Sequence, residues 1–204
     1  MIGPLYEGSL RGLCHVEIEH EDGRKERLPV DQWQQGRPGD HALLDRCDGP
    51  TLDIGSGPGR LTVALAERGL PALGIDVTPY AVEMTRNAGG LALLRDVFDR
   101  IPGAGRWETV LLADGNIGIG GDPRVLLCRV AALIGPAGRA IVELGDSTHT
   151  EWIRLRDERQ ASDWFRWAHV GTDTIGEYAG AAGLSVAGTW TAAARWFAEL
   201  TPTA

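Results

Sequence analysis

The segment Asp53-Ile54-Gly55-Ser56-Gly57-Pro58-Gly59 sets a carboxylate ahead of three glycines at alternate positions. Lacking Cβ atoms, such a backbone can approach a ligand where any side chain would collide. Apolar spacing from Arg60 onward predicts a helix directly behind the loop. Its N-terminus would offer unpaired N–H groups and a partial positive charge, which suit a phosphate or a carboxylate. Spacing narrows the ligand. The dinucleotide fingerprint Gly-x-Gly-x-x-Gly needs glycine where Arg60 stands. A Walker loop needs a lysine, and the only one, Lys25, lies elsewhere.

Further candidates follow the next apolar runs. Asp76 lies at about the separation from the glycine loop at which a carboxylate accepts hydrogen bonds from ribose hydroxyls. Taken alone, it would more often cap the helix expected from Pro79. Asp96-Val97 stands after the third run, where Arg95, Asp96, Asp99 and Arg100 serve equally as a solvated charged turn. Ala113-Asp114-Gly115-Asn116 opens a glycine-rich loop at the carboxyl end of the fourth run, the edge at which open α/β sheets bind ligands. Asp146 and His149 follow the fifth. Asp114 and Asn116 also suit a plain turn, and Asp146 to His149 an exposed connection.

With these residues in place, the chain resembles the class I S-adenosylmethionine-dependent methyltransferases over nearly its whole length, on the pattern Asp-x-Gly-x-Gly-x-Gly. The resemblance implies that Asp53 helps hold the cofactor's amino group, with Gly55, Ser56, Gly57 and Gly59 around its methionine portion. It implies Asp76 on the ribose hydroxyls with Val77 beside the adenine, Asp96 and Val97 on the adenine, and Ala113 in the loop between cofactor and acceptor. On the segment from Leu111 to Pro123 it points to a bacterial small-molecule group, and the Asn-Pro-Pro-Tyr or Asp-Pro-Pro-Tyr run of many nucleic-acid enzymes is missing there. Methyl transfer from a sulfonium is an in-line displacement, for which alignment in a dry pocket supplies much of the rate. Where the acceptor must lose a proton, Asp114, Asn116 and His149 are the candidate catalytic groups, His149 as general base. No metal is expected. The alternative is a protein that binds S-adenosylmethionine without methylating.

The elements needed to position these residues are legible in outline. Strands are expected at Thr51 to Ile54, Ala72 to Ile75, Ala92 to Leu94, Thr109 to Leu112 and Arg139 to Leu144. They alternate with helices at Arg60 to Arg68, Pro79 to Ala88 and Pro123 to Ile134, each stopped by a glycine (Gly69, Gly89, Gly135). That alternation is the sequence form of a parallel sheet wrapped by crossover helices. Ahead of it, Leu13 to Leu28 reads as a hairpin turning at Asp22-Gly23, and Asp40 to Cys47 as a short helix. Beyond it come strands at Trp152 to Arg156 and Trp164 to Trp167, a helix from Thr174 to Ala182, and an antiparallel hairpin of Leu184 to Trp190 with Arg195 to Leu200. The expected fold is therefore α/β and Rossmann-like. Its sheet would be seven-stranded and mostly parallel, with a C-terminal antiparallel hairpin and an N-terminal hairpin-plus-helix extension. One domain is expected over residues 1–204, with 1–48 as extension or lid, 49–145 as cofactor core and 146–204 as acceptor-side section.

Composition bounds the partners. A net charge of -8 opposes binding to a phosphate backbone, so nucleic acid is a poor acceptor and a small molecule the expected one. No stretch approaches the roughly 20 apolar residues that span a bilayer, and the first residues lack a secretory pattern, so the cytoplasm is the expected compartment. Cys14, Cys47 and Cys128 suggest neither a disulfide framework nor a zinc site. Of the seven tryptophans, Trp190 and Trp196 are expected to pack the final hairpin, whereas Trp152, Trp164 and Trp167 lie in the section facing an acceptor. Trp33, His15 and His41 belong to the front section, as lid or packing residues. Oligomeric state is not legible.

Overall fold

A computed structural model describes residues 3–203. Strands β3 (Thr51–Ile54), β4 (Ala72–Asp76), β5 (Leu91–Leu94), β6 (Trp107–Leu112), β7 (Ile134–Leu144), β10 (Leu184–Ala192) and β11 (Arg195–Pro202) form one sheet, ordered β10-β11-β7-β6-β3-β4-β5. Ladders from β5 to β7 are parallel, and β11 runs antiparallel to both its neighbours. Every residue of β3 is buried, as expected of a central strand covered on both faces.

Helices α4 (Arg60–Glu67), α5 (Pro79–Asn87) and α6 (Pro123–Leu133) carry the crossovers. Asp122 caps α6, its carboxylate accepting from the N–H groups of Arg124 and Val125, with Pro123 in the first helical turn. Leu126, Leu127 and Val130 of α6 pack with Ile175 and Ala179 of α7 (Ile175–Ala181) against one face of the sheet. Leu61 and Leu65 of α4 pack with Leu43 and Leu44 of α3 (Asp40–Leu44) and with Phe197 against the other.

The expected alternation holds, with the largest displacement of a boundary at the start of β7. Gly135 does not stop α6. The helix ends at Leu133, and β7 starts at once, pairing Ile134 with Trp107. Residues 135–138, expected as a connection, are thus the first part of a long strand.

A larger departure concerns the two ends of the chain. The front hairpin β1 (Glu17–His20) and β2 (Lys25–Arg27) does not stand alone, because β1 pairs with β8 (His149–Arg156), which pairs with β9 (Phe165–His169). The extension and the acceptor-side section therefore build one antiparallel sheet, ordered β2-β1-β8-β9. Helix α1 (Gly3–Leu10) and the short α2 (Val30–Gln34), neither foreseen, seal this sheet to α5 through Leu5, Leu10, Val16, Leu28, Val30, Ala81 and Leu155.

Candidate active site

The glycine loop leaves β3 with Gly55, Gly57 and Gly59 at φ of 68°, 54° and 91°, left-handed values that side-chain-bearing residues rarely adopt. A Cβ at Gly55 would fall 2.8 Å from Nδ2 of Asn116. That amide explains the need for closeness, since it donates to the carbonyls of Ile54 at 2.9 Å and Gly55 at 3.0 Å. Asn116, expected as a catalytic candidate, thereby ties the loop after β6 to the loop after β3.

Asp76, at the end of β4, accepts from the backbone N–H of Gly57 at 2.9 Å and of Thr78 at 2.8 Å. It therefore holds the glycine loop and shapes the entry to α5 together, and burial raises its carboxyl above the ordinary range. Asp53 is 2% exposed and accepts from Oγ1 of Thr62 at 2.7 Å. Burial pushes its carboxyl up to about 6, with the charges of Asp114 and Asp76 adding to the shift and the Thr62 hydrogen bond and Arg60 opposing it. Ser56 turns its hydroxyl over Gly74 of β4, where Oγ is buried with no hydrogen-bond partner among the described residues.

Asp114 has φ of 54°, and its carboxylate is bound by the guanidinium groups of Arg37 and Arg60. Its N–H donates to Oε2 of Glu143 at 2.6 Å. Arg195 grips Glu143 with two hydrogen bonds of 2.8 Å and reaches Asp40 at 2.7 Å, and Arg60 pairs with Asp40 as well. Three arginines and three carboxylates thus form one balanced, largely buried network beneath the Asp114 loop. A carboxylate so engaged is a structural anchor more than a free base.

These loops form the floor of a cavity of about 1060 Å³. Asp53, Gly55, Ser56, Gly57, Asp76, Val77, Asp96, Val97, Ala113, Asp114 and Asn116 all line it, whereas Gly59 does not. Gly59 lies behind, where an added Cβ would strike Thr85 of α5 at 2.4 Å. Asp96 accepts from the N–H of Phe98 at 2.9 Å, leaving Val97 and Phe98 as an apolar patch beside it. Overhead, Tyr6 of α1 meets Trp33 edge to face with ring centroids 5.9 Å apart. Burial, with Asp76 and Asp114 adding, raises the Tyr6 phenol so that it stays neutral.

The opposite wall is the inward face of the small sheet, with Ile18, His20, Glu151, Ile153, Phe165, Trp167 and His169. It is brought down by Gly118, where a Cβ would lie 2.5 Å from the carbonyl oxygen of Ala168 and 2.6 Å from the Trp167 ring. Of the acceptor-side tryptophans, Trp164 and Trp167 line the cavity and Trp152 does not. His149 is exposed and also lies outside the lining. It stacks on His169, ring centroids 4.4 Å apart, and it is His169 that faces inward. Asp146 is exposed. Trp190 stacks on Phe197 in the hairpin, away from the site.

Sequence reasoning missed Tyr6, Glu151, His169 and the arginine network. Period-two alternation in β8 and β9 places Glu151 and Ile153 on one face and so held part of the signal, whereas nothing local pairs His20 with Glu151.

No family model matches the chain. A release factor glutamine methyltransferase of Rhodospirillum rubrum is 35% identical over 138 residues, 51% of this chain and 42% of that protein. A lysine N-methyltransferase of Rattus norvegicus, named for an ATP synthase component, is 43% identical over 44 residues, 22% of this chain and 20% of that protein. The chain thus spans less than half the length of the curated relatives it matches. Among solved structures, a SAM-dependent methyltransferase from Bacteroides fragilis, in complex with S-adenosyl-L-homocysteine, superposes with a TM-score of 0.84 at 21% identity. That match covers 98% of this chain and 93% of the other. The CcbJ methyltransferase from Streptomyces caelestis superposes with a TM-score of 0.65 at 14% identity, over 85% and 94%. In strand order, glycine loop and overall superposition, this chain has the fold of the class I S-adenosylmethionine-dependent methyltransferase superfamily.

Proposed function

We propose that the chain binds S-adenosylmethionine on the glycine-loop floor and catalyses transfer of its methyl group to a small molecule seated against the aromatic wall. The observation carrying this reading is the polar set of one continuous cavity, in which Asp53, Asp76, Asp96 and Arg60 are spread along the floor beneath indoles. Asp53 suits the cofactor's ammonium group and Asp76 its ribose hydroxyls. The guanidinium of Arg60, whose Nε has no hydrogen-bond partner among the described residues, suits its carboxylate. Asp96, Val97 and Val77 suit the adenine. Bound there, the cofactor supplies an electrophilic methyl group. The residues of this chain orient and desolvate: α1 and Trp33 cover the loop, and Trp164, Phe165 and Trp167 offer flat apolar surface to the acceptor. Any proton the acceptor sheds falls within the His20, Glu151 and His169 cluster, which takes the place expected of His149.

A small acceptor is supported by the sheet that roofs the cavity and by the net charge of -8, which disfavours nucleic acid. The curated relatives carry names of protein methyltransferases, so the acceptor class is the part most in need of test. The cytoplasm is the proposed compartment, in keeping with three free cysteines; no helix among the described residues is long and apolar enough to cross a membrane. The test is incubation of the purified chain with methyl-labelled cofactor and separated low-molecular-mass and protein fractions of a cell extract. Label in the small-molecule fraction is the expected result. Label only in protein reverses the acceptor class, and binding without any labelled product favours a non-methylating role.

A further inference from the structure

Glu151 is a carboxylate on the cavity wall that displacement at a sulfonium does not itself require. Strand register explains its company. His149 and Glu151, two apart on β8, share a face, and His169 of β9 stands directly opposite His149. Oε1 of Glu151 lies 3.0 Å from Nε2 of His169 and 3.8 Å from Nε2 of His149. One ligand atom from each residue lies within 4.8 Å of the other two. Atoms that share a metal ion at about 2.1 Å sit about 3.0–3.4 Å apart in octahedral or tetrahedral geometry, so the set closes once the two stacked imidazoles turn out of parallel and bring both ring planes through one point.

Two of the three groups have an outward atom with a partner of its own. Nδ1 of His149 is 3.2 Å from Oγ of Ser147. Oε2 of Glu151 is 2.7 Å from Nδ1 of His20 and 3.7 Å from the Arg24 guanidinium. Such partners turn the remaining lone pairs inward and fix their direction.

We infer that His149, Glu151 and His169 form a site for one divalent transition-metal ion, bound by two imidazoles and a carboxylate. The donor set suits zinc, iron, cobalt or nickel and leaves positions open. Glu151 and His169 face the cavity, so those positions look onto its acceptor end. There the ion would hold an oxygen- or nitrogen-bearing acceptor. That use rests on the methyl-transfer reading and takes the place of proton uptake by Glu151 and His169, whereas the metal site itself does not rest on it.

The test is calorimetric titration of the chelator-treated full chain with Zn²⁺, with Co²⁺ absorption as a second readout. The expected result is one equivalent bound at micromolar affinity or tighter, with visible Co²⁺ bands. Glu151→Gln and His149→Gln should each weaken Zn²⁺ binding by about tenfold or more. His149 is exposed, so its variant keeps the test sound should Glu151→Gln disturb folding. Absence of saturable binding, or binding unchanged in both variants, overturns the site. S-adenosylhomocysteine binding to the same preparation separates the readings: its failure with Zn²⁺ binding intact removes the methyl-transfer account and leaves the metal site standing.

Discussion

The two walls of the cavity are built in different ways. The floor comes from loops at the carboxyl ends of β3, β4, β5 and β6, contributed in sequence by one stretch of the chain, and most of its polar groups bind one another, Ser56 Oγ and Arg60 Nε being without a partner among the described residues. Asp76 binds the Gly57 N–H, Asn116 binds two loop carbonyls, and Asp114 is held by arginines. The roof comes from β1, β8 and β9, where His20 and Glu151 meet across 131 residues of sequence. Its surface is aromatic and more open, with Trp164 40% exposed. On the methyl-transfer reading proposed above, a floor of fixed dipoles and charges suits the cofactor, and a roof of flat apolar rings suits the acceptor.

Substitutions on the two sides should therefore separate. The largest effect is expected beneath the floor. Arg195→Met leaves Glu143 without its guanidinium and Asp40 with one arginine in place of two, in a buried setting, and should cost about 3–5 kcal/mol of stability in urea denaturation. A loss below about 1 kcal/mol would mean that the network is better hydrated than its burial implies. Asp76→Ala comes next and should weaken S-adenosylhomocysteine binding by about 2–3 kcal/mol, roughly 30- to 150-fold. Unchanged affinity would reduce Asp76 to a shaper of the α5 entry. On the roof, Trp167→Ala should leave that affinity within about twofold while raising the KM for acceptor by about tenfold, or roughly 1–1.5 kcal/mol. Equal losses for both ligands would erase the division between floor and roof.

The smallest effect concerns pH. The Asp53 carboxyl is raised to about 6 from an ordinary 3.8, so the folded chain holds this proton more tightly than the unfolded chain does. The stability it contributes is complete below 3.8 and is lost as pH rises through 6. Asp53→Asn should therefore flatten the fall in stability between those two values relative to the parent. The ionised carboxylate is the form that attracts an ammonium group. Affinity for S-adenosylhomocysteine should thus rise by roughly three- to tenfold from pH 5 to pH 7 in the parent, and stay flat in the variant.

How much of this was legible follows the same division. Glycine spacing, the carboxylates that follow successive strands and the apolar spacing of the intervening helices are local signals, and they located the floor to within a residue or two. Expectation failed where pairing is non-local. The hairpin at Asp22-Gly23 was readable, but its partnership with β8 depends on register across the whole chain. His149 was readable as a polar residue near a strand end. That its neighbour His169 is the ring facing inward follows only from the pairing of β8 with β9. Tyr6 sits on a short helix that holds Gly3 and Gly8, both poor helix formers, so no local signal announced it. The extension of β7 back to Ile134 reflects tertiary pairing with Trp107 overriding a glycine that reads locally as a helix stop.

The central claim is that the glycine-loop floor is built for S-adenosylmethionine. Calorimetric titration of the unmodified chain with S-adenosylhomocysteine, beside NADH, tests it most directly. The expected result is one site of micromolar affinity for S-adenosylhomocysteine and none for NADH. Heat from NADH alone, or from neither ligand, would contradict the account.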